Sequence, residues 1–124
     1  MNNQELNAML VSCSGASNTG CYADKVARML AESGRANMIC LPKIAINDEK
    51  LINQVKNTGK KVIVIDGCPI NCAEKIMKDH GIDNFSHINT TDFGIIKGKT
   101  PITEENLDKI IQHIEKIASW VRTA

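Results

Sequence analysis

Aromatic residues are nearly missing from this chain: one Trp, one Tyr and two Phe make up 3% of its 124 residues. That excludes a stacking platform for unpaired bases and requires an aliphatic core. Net charge is also small, since 15 Lys and Arg face 14 Asp and Glu and leave +1. No field of one sign therefore draws the protein to nucleic acid or to an anionic membrane. No stretch approaches the roughly 18 apolar residues of a membrane span, and "MNNQELNAMLVS" at the N-terminus lacks the basic and apolar regions of an export signal. The expected setting is cytoplasmic, with neither nucleic acid nor membrane as partner.

What is present suits an ordinary soluble domain, with 43% hydrophobic and 23% charged residues. The length predicts one domain over 1–124, with residues 1–6 a loose tail. Five cysteines are the unusual content. In a reducing compartment structural disulfides are rare, so thiols there serve as metal ligands, catalysts or core residues.

Strand and helix patterns alternate along the chain. "AMLVS" at 8–12 is a short apolar run followed by the turn-rich "SGASNTG". Over 18–33, Ala23, Val26, Ala27 and Leu30 recur at helical spacing before Gly34. "ANMICL" at 36–41 reads as a second strand, and 48–57 as a helix carrying Leu51, Ile52 and Val55. "KVIVI", with four β-branched residues in succession, predicts a central strand covered on both faces. A helix is expected over 69–80, with Pro69 at its first position, Cys68 as N-cap and a core face of Ile70, Ala73, Ile76 and Met77. "FSHINT" at 85–90 is a weaker strand, and 92–101 a loose loop. The last helix follows a Thr103 cap and presents Leu107, Ile110, Ile111, Ile114, Ala118 and Val121 on one face. The fold class is α/β: a three-layer sandwich around a mostly parallel four-stranded sheet in Rossmann-like or flavodoxin-like order.

On that scheme Cys13 follows the first strand, Cys40 ends the second, and Cys68 and Cys72 follow the third. All four thiols reach the carboxyl edge of the sheet, where open α/β folds bind ligands, and the winding reverses between the first and third strands. One helical turn separates Cys68 from Cys72, with Cβ atoms about 5–6 Å apart, whereas a disulfide needs about 3.8 Å. Two thiolates on one zinc sit with sulfurs just under about 4 Å apart, so the pair suits an ion better than a bond. A single cysteine at a strand end such as Cys40 is, by itself, more often packing. Cys21, near the start of the first helix, is expected to be a small core residue.

In order and spacing, "CSGASNTG", "MICL", "VIVIDGCPINCAEK" and "TDFGIIK" resemble the DGC domain family. These are small proteins named for an Asp-Gly-Cys motif and regarded as zinc-binding. The resemblance runs from about Met9 into the C-terminal helix. It implies Cys13, Cys40, Cys68 and Cys72 as chelators of Zn²⁺, raising Cys40 from packing to ligand, and leaves Cys21 as a fifth thiol near the site. It supplies no reaction. Alternatives on the same residues are a thiol redox or sulfur-carrier enzyme with Cys68 as nucleophile and Cys13, Cys21 or Cys72 as resolving thiol, and an iron–sulfur protein.

Asp66 is expected to accept backbone N–H groups rather than bind metal, and Gly67 to let the backbone turn closely over the site. "SGASNTG" lacks the ending of a phosphate loop, and "DFG" at 92–94 stands without the other kinase motifs. His80, His87 and His113 have no metal-ligand spacing. Trp120 and Val121 are expected to pack, or to mark a contact in a homo-oligomer.

Overall fold

The structure, a computed structural model, describes residues 4–120, with side chains as far as Ala118; the expected contacts of Trp120 and Val121 lie outside it. Four strands form one sheet: β1 (Ala8–Ser12), β2 (Asn37–Met38), β3 (Lys61–Asp66) and β4 (Ser86–Asn89). Their order is β2-β1-β3-β4, and every pairing is parallel. The helices are α1 (Asn18–Glu32), α2 (Leu41–Ala45), α3 (Glu49–Lys56), α4 (Cys72–Asp79) and α5 (Glu104–Trp120), with a 3₁₀ turn at Thr90–Phe93.

Right-handed crossovers fix the layers. The chain moves one way from β1 to β2 and the other way from β2 through β3 to β4, so α1 lies on one face and α2, α3 and α4 on the other. In agreement, α1 packs with α5, while α2 packs with α3 and α4. β3 lies between β1 and β4, and Ile63, Val64 and Ile65 are fully buried, as a continuous β-branched run requires. On α5, Leu107, Ile110, Ile111, Ile114 and Ala118 are buried, as the spacing predicts, and Ile117 is buried beside them.

Local chemistry sets the helix starts. Ser17 caps α1 by accepting from the Gly20 N–H at 3.2 Å, Asp48 caps α3 through Leu51 at 3.1 Å, and the Thr103 hydroxyl accepts from Asn106 at 3.2 Å ahead of α5.

Four features differ from the sequence expectation. The second strand, expected over 36–41, pairs only at Asn37–Met38 with one further bond from Ile39 N–H to Leu10 carbonyl at 2.9 Å. Pro42 lacks an N–H and has a φ suited to a first helical turn, so the chain leaves the sheet edge and enters α2. The helix expected from Pro69 begins at Cys72 instead. Pro69 follows Cys68 in a turn closed by the Asn71 N–H on the Cys68 carbonyl at 3.1 Å, and Asn71 adopts φ 56°. Ile70 is therefore 58% exposed and absent from the core, whereas Ala73 and Met77 are buried as expected.

The stretch 92–101 is tied down by side chains of α1. The Asn18 side chain donates to the Ile96 and Thr100 carbonyls at 3.0 and 2.8 Å and accepts from Gly98 at 2.7 Å. At the N-terminus Leu6 is buried, and its N–H donates to the Arg35 carbonyl at 2.6 Å. The loose tail expected over 1–6 does not extend to Leu6.

Candidate functional site

β1 and β3 end side by side, and the loops that leave them diverge to opposite faces of the sheet. The Cys13 N–H donates to the Ile65 carbonyl at 3.0 Å, prolonging the ladder by one bond beyond β1. Cys13, Cys68 and Cys72 line one cavity of about 430 Å³, with Gly15, Asp66 and Gly67 among its other walls and Leu41, Pro42 and Ala45 of α2 along one side. These three cysteines thus line one cavity at the reversal of winding, where this topology opens a crevice.

Close backbone packing shapes the floor. A Cβ on Gly67 would lie 2.4 Å from Gly20 N, and one on Gly20 would lie 2.8 Å from Gly15 Cα. Three glycines from three segments therefore bring the β1 loop, the β3 loop and the first turn of α1 into direct backbone contact. Burial pushes the Cys13 thiol above its ordinary pKa; backbone N–H groups of Gly15 and Gly67 act the other way, and the charges of Asp66 and Cys68 add to the rise.

Asp66 is 1% exposed and works as an organiser. Its Oδ1 accepts from Ala73 N–H at 2.8 Å and its Oδ2 from Glu74 N–H at 3.1 Å. Those are the second and third residues of α4, the donors an N-cap side chain ordinarily satisfies. The N-cap residue is Asn71, whose own side chain is engaged elsewhere: Asn89 Nδ2 donates to Asn71 Oδ1 at 2.8 Å and to the Cys68 carbonyl at 2.7 Å. Asp66 thus fills the structural role expected of it, on the helix after the turn. The helical spacing assumed for Cys68 and Cys72 does not exist. Cys68 sits at the head of a turn and Cys72 at the first residue of α4, yet both reach the same cavity.

His87, which the sequence gives no reason to assign as a ligand, packs its ring against the Asp66 carboxylate. Its Nε2 lies 2.8 Å from Asp66 Oδ2 and its Nδ1 3.7 Å from Glu74 Oε2. The register of β4 against β3 pairs His87 with Val64, two residues before Asp66. Only the strand order brings these residues together, and no local motif announces it. His80 meets Asn47 at 3.4 Å, and His113 packs edge-on against Phe93 with ring centroids 5.4 Å apart.

The remaining thiols lie apart. Cys40 is exposed and lines a neighbouring cavity of about 350 Å³, across the Leu41–Pro42 segment that both cavities share. Cys21 is half-buried on α1, neither in the core nor a wall of either cavity. All five cysteines are free thiols. Among the described residues, no group of three or more His, Cys, Asp or Glu side chains is arranged to hold a metal ion. The donors lining the main cavity are nonetheless soft sulfurs, the ligand type that zinc and iron–sulfur clusters favour.

An open parallel sheet with thiols gathered at its switch point defines the class: a small α/β protein with a cysteine-lined cleft. The chain belongs to the DGC domain family, whose model matches residues 9–114. It is also similar to the anaerobic and virulence modulator AnvM of Pseudomonas aeruginosa, at 26% identity over 89 residues, covering 72% of this chain and 67% of that protein. No solved structure matches the chain. The three residues Asp66, Gly67 and Cys68 now have separate roles: a remote helix cap, a backbone contact that admits no side chain, and a thiol on the cavity wall. No helix among the described residues is long and apolar enough to cross a membrane.

Proposed function

We propose that the protein binds one Zn²⁺ through Cys13, Cys68 and Cys72, with Cys40 brought from the neighbouring cavity as fourth ligand. The observation that carries this reading is that three free cysteines, one after β1 and two between β3 and the first residue of α4, line one cavity. Backbone N–H groups of Gly15 and Gly67 directed at Cys13 supply the partial positive charge that an anionic thiolate set needs. Held by thiolates alone, zinc acts as a cross-link between loops. Binding is then a closing step that draws Cys40 and the Leu41–Pro42 segment toward the β1 and β3 loops. The free state of all five cysteines suits a reducing compartment, and we place the protein in the cytoplasm. The name of the Pseudomonas relative, a modulator, fits binding better than turnover.

Metal content of protein purified without oxygen tests the reading. About one zinc per chain is expected, lost in Cys13→Ser, Cys68→Ser and Cys72→Ser, weakened in Cys40→Ser and retained in Cys21→Ser. Iron with visible absorbance would assign the same thiols to a cluster instead. Metal-free protein with five reactive thiols would defeat both and leave the thiol-enzyme alternative.

A further inference from the structure

The second cavity has a chemistry of its own. Ser12, at the end of β1, lines it and is 5% exposed, yet its hydroxyl has no hydrogen-bond partner among the described residues. A buried hydroxyl left unpaired is costly and marks a place where a bound molecule can supply the missing partner. Asp24 and Arg28, one turn apart on α1, form another wall, with Arg28 Nε 2.8 Å from Asp24 Oδ2. Both keep solvent access, at 29% and 59% exposure. Met38 and Pro42 provide apolar surface, and Cys40 stands exposed beside them.

We propose that this cavity binds a small disulfide built on an α-amino acid, and that Cys40 exchanges with it. The carboxylate of such a molecule complements Arg28, its ammonium complements Asp24, and Ser12 reaches its remaining polar atoms. A volume of about 350 Å³ admits a molecule of this size. In the exchange Cys40 gives its proton to solvent and its thiolate attacks one ligand sulfur. The ligand's S–S bond breaks as the new bond to Cys40 forms, and the released half leaves as a thiolate that takes up a proton. The disulfide is the sole co-reactant and no outside oxidant is consumed. The proposal needs no metal and does not rest on the zinc reading, although a thiolated Cys40 cannot ligate.

The test uses the full chain after treatment with a chelator, its metal content measured separately. Cystine and the uncharged 2-hydroxyethyl disulfide are offered in parallel, and adducts are followed by intact mass and peptide mapping. Cystine is expected to place one half-molecule on Cys40 ahead of the other four thiols and to react faster than the uncharged disulfide. Arg28→Ala, at an exposed position that leaves folding intact, should slow the cystine reaction roughly tenfold while leaving the rate with 2-hydroxyethyl disulfide unchanged. Cys40→Ser should abolish the early adduct. Modification of another cysteine first, absence of any adduct, or an unaltered rate ratio in Arg28→Ala would overturn the proposal.

Discussion

At the scale of the residue, the site depends on atoms that are missing. Gly67 lies so near Gly20 that a methyl group has no room, and the nearest atoms are backbone, which cannot swing aside. Gly67→Ala should therefore destabilise the protein by about 1–3 kcal/mol, read from urea unfolding, and should also displace Cys68 from the cavity wall. Cys13 offers a second check. Burial raises its pKa, so at neutral pH in chelator-treated protein iodoacetamide should label the exposed Cys40 and Cys72 well before Cys13. The sign follows from the direction of the shift: Cys13 stays protonated at a pH where a thiol of ordinary pKa has ionised, and its labelling rate should still climb above that pH. Residue identities were legible in the sequence, because Cys, Gly and Asp in the "DGC" stretch each suggest their chemistry. The distance from Gly67 to Gly20 was not, since it arises only when two distant loops meet.

At the scale of the element, α4 shows why a local rule can point to the wrong place. Pro is favoured both at the first position of a helix and at the second position of a turn, and here the turn prevails. It prevails because Asn71 tolerates a left-handed backbone and because Asp66, six residues before Cys72, supplies the cap that Cys68 was expected to give. Asp66→Ala should cost about 2–3 kcal/mol, since it leaves two helix N–H groups and the His87 ring without their acceptor. Hydrogen exchange at Ala73 and Glu74 should quicken more than exchange in α3, whose cap at Asp48 is separate. Asp66→Asn, which keeps an acceptor oxygen, should fall between. The second strand is likewise shorter than its composition suggests, because apolar content in "ANMICL" resembles a strand while Pro42 already commits the chain to α2. The long elements β3, α1 and α5 were legible from periodicity alone, since each buries a stripe or run with no competing signal.

At the scale of the whole molecule, one buried cation joins the ends of the described chain. Arg35 is 1% exposed; its Nε donates to the Gln4 carbonyl at 2.8 Å and its Nη2 to Glu115 of α5 at 2.6 Å. Arg35→Ala should cost about 3 kcal/mol, near the lower end for breaking a buried pair because Glu115 keeps partial solvent access. Chemical denaturation would show the loss, with little dependence on salt because the guanidinium is screened from it. The parallel sheet is legible in the alternation of strands and helices, and the usual doubly wound order then sets Cys13, Cys68 and Cys72 along one cavity. The partition of Cys40 into its own cavity did not follow, because it depends on where Leu41 and Pro42 lie between the two hollows. Tyr22 gives the molecule a built-in reporter. It is the sole tyrosine and fully buried, and its hydroxyl donates to the Pro101 carbonyl while accepting from Thr103 N–H and Asn106 Nδ2. Its near-ultraviolet absorption band therefore reads out, without any label, whether the C-terminal helix is seated on α1.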